Sequence, residues 1–491
     1  MTGVRLEPGS FRDPANRVFY AGDLVLRGLG PSAAEDWEAL AATDFFPAMV
    51  AAGKICHTEP IDPARLAGAT DVDAAAGVDA GELAGWATVL RHERIPYVSY
   101  PYEWSFSMLR DAALLHLEIL LAALGEGITT KDGSAYNLQW RGSAPVFIDV
   151  GSFERLRDGE PWAGYRQFCQ TMLYPLLLQA HLDVAFQPWL RAQVDGIEPG
   201  QVRRLFGGLR RFKAGVFKHV HLHDAVQARF SATTTESARA DLRAAGFSRE
   251  LTVATVRALA KLVRRLDWQP PATGWTGYQA TCTYSDADRA RKGEFVARAL
   301  RAARASGGAM ASARDLALVL DLGANDGTYS RLAAEHARCV VAVESDAAVV
   351  DRLYRRLRDE GQERILPLVM DLANPSPGVG WRGRERAAFD RRPVADAVLA
   401  LALVHHLAIG RNVPLPEVLD WLAGLGRRLV VEFVDPADPM AQRLLANKPA
   451  GLFPDYHREA FERALAERFT VAAREELPSG TRTLYLAVPR G

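Results

Sequence analysis

The run Val319-Leu-Asp-Leu-Gly-Ala-Asn-Asp-Gly-Thr-Tyr-Ser330 constrains the fold more than any other stretch, because an apolar strand passes straight into an acidic, glycine-spaced turn and then a helix. Leu316 to Leu322 reads as a buried parallel strand and Tyr329 to His336 as the start of a crossover helix. Gly323 and Gly327 leave room for backbone to approach a ligand and tolerate angles that other residues resist. About twenty residues further on, a second apolar strand, Cys339 to Val343, ends in Glu344, whose carboxylate can accept hydrogen bonds from both hydroxyls of a ribose. These pieces make one βαβ unit with space for a nucleotide-like ligand at its first bend.

The glycine spacing chooses between ligands. A dinucleotide needs Gly-x-Gly-x-x-Gly to seat its pyrophosphate on helix amides, whereas the pattern here is Asp321-x-Gly323-x-Asn325-x-Gly327, without the middle glycine. That looser acidic turn suits a cationic ligand lacking phosphates, S-adenosylmethionine. Over roughly residues 275 to 491 the sequence resembles the class I S-adenosylmethionine-dependent methyltransferases. Its further strands are read as Ile365 to Met370 ending at Asp371, Asp396 to Val404 running into His405-His406, Arg428 to Glu432, and a closing antiparallel hairpin of Phe469 to Glu475 with Arg482 to Val488. The resemblance implies a Rossmann-like domain, a parallel sheet with an antiparallel terminal hairpin. It also implies that Asp321 orients the methionine amino group, that Gly323, Asn325 and Gly327 floor the site, that Glu344 clamps the ribose and that Asp371 holds adenine. Asp346 is read as a helix cap and as the fallback for Glu344.

Methyl transfer depends mainly on aligning nucleophile, methyl carbon and sulfonium, with a base to take the acceptor's proton. His405 and His406, at the carboxyl edge of the sheet, are the candidate catalytic bases, and Glu432 is a second choice. Either histidine can instead cap a helix or bond backbone. The resemblance further implies that the helix preceding the first strand, Lys292 to Leu300, closes over the cofactor and that Tyr278 or Tyr284 lines the site; core packing of these aromatics is the alternative.

With 491 residues the chain has room for two or three domains, and 48% apolar with 24% charged residues describes an ordinary globular protein. Its 59 basic and 59 acidic residues balance, so the expected partner is a small-molecule or saccharide acceptor, with neither nucleic acid nor membrane. Arg382, Arg384, Arg386, Arg391 and Arg392 read as a solvated basic loop. Four scattered cysteines, Cys56, Cys169, Cys282 and Cys339, with no secretory pattern at Met1 to Pro8, suggest a reduced, cytoplasmic protein. Leu114 to Leu124 is too short and too polar to cross a bilayer.

The front half is read as residues 1 to 268. Ser105 to Leu124 forms a long buried helix, followed by Thr130-Lys-Asp132-Gly-Ser-Ala-Tyr-Asn137, a short hairpin and Asp149-Val-Gly151. That order resembles the catalytic and metal-binding loops of protein kinases and related phosphotransferases. The resemblance implies an α+β kinase-like domain, either a degenerate one that shapes the acceptor pocket or one that binds magnesium ATP at Asp132, Asn137 and Asp149 and makes the protein bifunctional or regulatory; a non-catalytic partner protein is the third reading. The chain departs from the pattern in having Thr130-Lys131 before the first Asp, Val150 for the usual aromatic, no glycine-rich loop and only Lys54 as a phosphate-binding lysine. Otherwise Asp132-Gly-Ser is a turn and Asp149 a helix cap. His219-x-His221-x-His223 invites a metal, but its surroundings read as helical, where such spacing diverges. Ser231 to Ser237 is a polar break, Leu251 to Leu266 a basic amphipathic helix and Gln269 to Gly274 a linker. As a whole the arrangement resembles a group of bacterial methyltransferases that includes host-specific nodulation proteins.

Overall fold

The computed structural model describes residues 4–62, 83–157, 159–222, 248–270, 284–305 and 315–490. Gly22, at φ 57°, turns the hairpin that joins β2 (Asn16–Ala21) to β3 (Leu24–Leu29). With β1 (Arg5–Leu6), β4 (Thr58–Ile61) and β5 (Thr88–His92) they form an antiparallel sheet of order β1-β2-β3-β5-β4, and helix α1 (Pro31–Ala41) follows its third strand. Helix α2 (Phe106–Gly125) is capped by Ser105 Oγ, which accepts from the Met108 amide. Leu109, Ala112, Leu117, Leu120 and Leu124 bury it nearly all round, as a central helix requires. A hairpin of β6 (Leu138–Arg141) and β7 (Ala144–Phe147) follows, then helical segments including Tyr165–Phe168 and Tyr174–Leu182, and α3 (Arg249–Arg265) packed on α2.

Helix α4 (Asp286–Ala305) leads into a seven-stranded sheet. Its strands are β8 (Leu316–Leu322), β9 (Ala337–Glu344), β10 (Ile365–Val369), β11 (Ala397–Ala400), β12 (Leu429–Val434), β13 (Phe469–Glu476) and β14 (Arg482–Pro489). The order is β10-β9-β8-β11-β12-β14-β13, with the first five parallel and β14 antiparallel to both neighbours. Helices α5 (Thr328–Ala334) and α6 (Ala347–Asp359) make the crossovers on either side of β9. Strand order reverses at β8, whose neighbours β9 and β11 leave in opposite directions. A crevice therefore opens at the carboxyl ends of these strands.

Two expectations need correction. The fourth strand is only Ala397–Ala400, since Ala402 turns left-handed at φ 50° and lifts the chain off the sheet. Asp396 caps β8 instead, accepting from the Ala317 amide at 2.7 Å. The arginine loop is not simply solvated: Arg392 is buried in a bidentate pair with Glu103 at 2.6 and 3.0 Å, and Arg386 lies 4.3 Å over the Tyr136 ring. Tyr278, Trp275, Cys282, His223, Ser231 to Ser237 and most of the linker from Gln269 to Gly274 lie outside the described residues. The largest apolar cluster runs from Leu29 through Trp140 and Tyr354 to Ala487, crossing the expected domain boundary without a break.

Candidate functional site

A cavity of about 650 Å³ sits at the switch point. Asp321, Gly323, Asn325, Glu344, Asp371 and His406 all line it. Gly323 has φ 79°, and a side chain there would meet only Leu403 Cδ1 at 3.6 Å, so its bareness keeps the bend open. Gly327 stands outside the cavity wall. It caps α5 at φ 82°, where a Cβ would lie 2.8 Å from Leu353, so its role is packing and turn geometry.

Glu344 faces the cavity, and its two oxygens are aligned by backbone amides. Oε2 accepts from Asn325 N at 3.2 Å, while Oε1 accepts from Ser345 N at 2.6 Å and Asp346 N at 3.1 Å. Asp346 caps α6 through Ala348 N and Val349 N, as its sequence position suggested. Asp371 accepts from Ala373 N at 3.0 Å and from Arg411 at 2.8 Å. Asp321 is 2% exposed, and burial pushes its carboxyl up to about 6, against the Ser330 hydroxyl that donates to it.

The histidine pair divides its positions. His406 is on the cavity wall, and burial with the Arg482 charge pushes its imidazolium down to about 4, so the ring is neutral near pH 7. His405 is wholly buried behind it, with ring centroids 4.1 Å apart and neither ring nitrogen hydrogen-bonded. Glu432 also lies behind the wall, salt-bridged to Lys292 at 2.7 Å and Arg482 at 3.2 Å, which hold its carboxyl low despite full burial. Tyr284 does reach the cavity, donating to Glu432 at 2.6 Å and accepting from Lys292 at 2.9 Å. Lys292, the first residue of the helix expected to close over the site, stands on the wall, as do Tyr329 and Arg411, which no pattern in the sequence marks. Lys292 of α4 sits 4.5 and 4.8 Å over the rings of Tyr284, just before that helix, and Tyr329 of α5, a cage that no linear spacing announces.

In the front half, Asp149 stands at the N-cap position of the short turn Val150–Ser152, but its side chain makes no capping bond. Its carboxylate takes Arg27 at 2.8 Å, and Arg27 also donates to Asn16 at 2.9 Å and to His92 at 3.1 Å. Asp132 is raised by burial and by the Asp149 charge, and the amide nitrogen of Asn137 is buried without a hydrogen bond. The donors as arranged do not fit a magnesium ion, because the Arg27 guanidinium already neutralises Asp149. Lys54 pairs instead with Glu118. His219 bonds the Tyr165 hydroxyl at 2.7 Å and His221 the Phe206 carbonyl at 3.1 Å, each a satisfied structural histidine. Among the described residues no three His, Cys, Asp or Glu side chains are arranged to hold a metal.

No known family profile matches the chain. It is 34% identical over 486 residues to the nodulation protein NoeA of Rhizobium meliloti strain 1021, covering 97% of this chain and 94% of that protein. Similar solved structures include the N-methyltransferase NodS from Bradyrhizobium japonicum WM9, at 11% identity and TM-score 0.31 over 42% of this chain and 99% of that one. Another is magnesium protoporphyrin IX methyltransferase (ChlM) from Synechocystis PCC 6803 with bound SAH, at 18% identity and TM-score 0.29 over 46% and 92%. Likenesses of that size carry no inference about chemistry.

Proposed function

The chain belongs to the family of the nodulation protein NoeA, and from that premise and the cavity walls we propose that it is an S-adenosylmethionine-dependent methyltransferase for a small-molecule or saccharide acceptor. One observation carries the reading: the bare Gly323 bend, Glu344 and Asp371 meet around a single cavity of about 650 Å³, a volume typical of small-ligand sites. In this reading Asp321 and Asn325 take the amino-acid end, Glu344, whose oxygens accept from three backbone amides, takes the ribose hydroxyls, and Asp371 takes the adenine amine; that all four line the one cavity supports it. Bound there, the cofactor supplies an electrophilic methyl group. The chain's own share is alignment and proton management.

His406, neutral near pH 7, would accept the proton lost by an acceptor hydroxyl or amine. His405 packs behind it and fixes its ring. The residues from 275 onward supply the reaction, and the front half scaffolds the acceptor side. Calorimetry with S-adenosylmethionine tests the assignment. Gly323→Arg, which fills the bend, is expected to abolish binding, and Glu344→Ala to weaken it by about tenfold, roughly one lost charged hydrogen bond. Wild-type protein that binds magnesium ATP but not S-adenosylmethionine would overturn it.

A further inference from the structure

Balanced total charge conceals a strongly unbalanced surface. Between Pro199 and Leu222 the chain carries Arg203, Arg204, Arg210, Arg211, Lys213 and Lys218 and no acidic residue, and all six cations are exposed. Interleaved with them are the most exposed large apolar side chains of this segment: Leu209 at 87%, Phe212 at 65%, Phe217 at 58% and Leu222 at 53%. Two short helical turns, Gly208–Phe212 and Phe217–Leu222, lie against each other and present these groups.

The outward placement is fixed from behind. Val202, Phe206, Val216 and Val220 are buried, the Tyr174 hydroxyl donates to the His219 carbonyl at 2.9 Å, and His219 bonds Tyr165. Gly215 packs on Leu262 of α3, and α3 adds Arg257, Lys261, Arg264 and Arg265 on its solvent side. An apolar tip ringed by cations is costly to leave in water and suits one environment, the boundary between anionic headgroups and acyl chains. A nucleic acid or an acidic peptide would use the cations but leave Leu209 and Leu222 without purpose.

We infer that the surface of residues 203–222 docks on an anionic lipid bilayer, with Leu209, Phe212 and Phe217 entering the interface and the arginines and lysines engaging headgroups. No helix among the described residues is long and apolar enough to cross a membrane, so the contact is peripheral. Docking at a bilayer would favour acceptors that are themselves membrane-held.

Co-sedimentation of the full chain with phosphatidylcholine vesicles, with and without phosphatidylglycerol, tests this. The protein is expected to pellet only with the anionic vesicles and to be released by salt. Neutralising a cation near the surface should weaken partitioning roughly fivefold, so Arg210→Ala with Arg211→Ala should lower it by well over tenfold. Leu209→Ser with Phe212→Ser should weaken it comparably. Both pairs of changes lie on exposed side chains, and an unchanged circular-dichroism melting midpoint shows the fold is kept. The inference fails if the wild type stays in the supernatant, or if it pellets equally with neutral vesicles. It also fails if both double variants bind as the wild type does, or if the patch instead mediates heparin retention or self-association without vesicle binding.

Discussion

Asp321 is the residue where stability and binding pull in opposite directions. Its folded-state carboxyl, raised to about 6 from 3.8, means the folded protein binds that proton more tightly than the unfolded chain does. The stabilisation is complete below the unfolded value and disappears as pH rises through about 6, so at pH 7 the ionised carboxylate costs about 3 kcal/mol, at 1.36 kcal/mol per unit. Asp321→Asn should therefore raise the ligand-free urea midpoint at pH 7 while weakening S-adenosylmethionine by at least about tenfold, the loss of one ion pair to the ammonium. In the wild type, kcat/KM for the cofactor should fall as pH drops through about 6. His406 makes a separate prediction in kcat. A base whose conjugate acid lies at about 4 stays competent from neutral pH down to that value and is lost below it, and the bound sulfonium can only push the inflection lower. His406→Ala should cost roughly 10² to 10⁴ in kcat. A kcat inflection near the ordinary imidazole value would remove His406 from the role.

At the scale of elements, the connection from β10 to β11 ties the candidate site to the front half. It begins at Asp371 on the cavity wall and is gripped along its length: Arg191 bonds Asn374 and Pro375, Arg12 bonds Glu385, the Tyr100 hydroxyl accepts from Ala387, and Arg392 is buried against Glu103. Removing one member of such a buried pair strands the other, at about 3–5 kcal/mol, whereas exposed pairs are worth about 1 or less. Arg392→Met should lower urea stability by that larger amount and also loosen cofactor binding through Asp371, and adding Glu103→Leu should recover most of the stability. A cost under about 1 kcal/mol would show that the pair is not what holds the connection. The strands and the bend were legible because each is a local pattern: a continuous apolar run, a glycine at a positive φ, a carboxylate at a strand end. The grip on the connection was not. Arg392 reads as one more arginine in a basic loop, and only the chain's return brings Glu103, 289 positions earlier, to its guanidinium. The Lys292 cage and the Arg27–Asp149 pair were hidden for the same reason.

On the scale of the whole molecule, the two halves share one apolar core. Trp140 stacks edge-on with Tyr354 at 5.5 Å, Asp111 takes both the Tyr354 hydroxyl and Arg358, and Ser107 bonds Asp351 at 2.7 Å, so α6 of the sheet domain is seated directly on α2. Halves joined only by a linker unfold separately, but halves that bury aromatic and charged groups on each other lose those contacts together. The full chain is therefore expected to melt in one calorimetric transition. Tryptophan gives a sharper test, because seven of the ten indoles (Trp37, Trp86, Trp104, Trp140, Trp162, Trp189 and Trp268) lie in the front half. Tryptophan fluorescence is therefore weighted toward that half, with Trp275, Trp381 and Trp421 the remaining contributors. Ligand binding to the folded state at a hundredfold excess over Kd adds about 2.7 kcal/mol to whatever unfolds with the site. Saturating S-adenosylmethionine, bound in the cavity at β8, should thus shift the tryptophan transition by as much as it shifts the sheet domain's own. A tryptophan melt that ignores the cofactor while calorimetry shows a second, ligand-sensitive peak would mean that the halves fold independently, and that the contacts along α6 and the β10–β11 connection contribute little to cohesion.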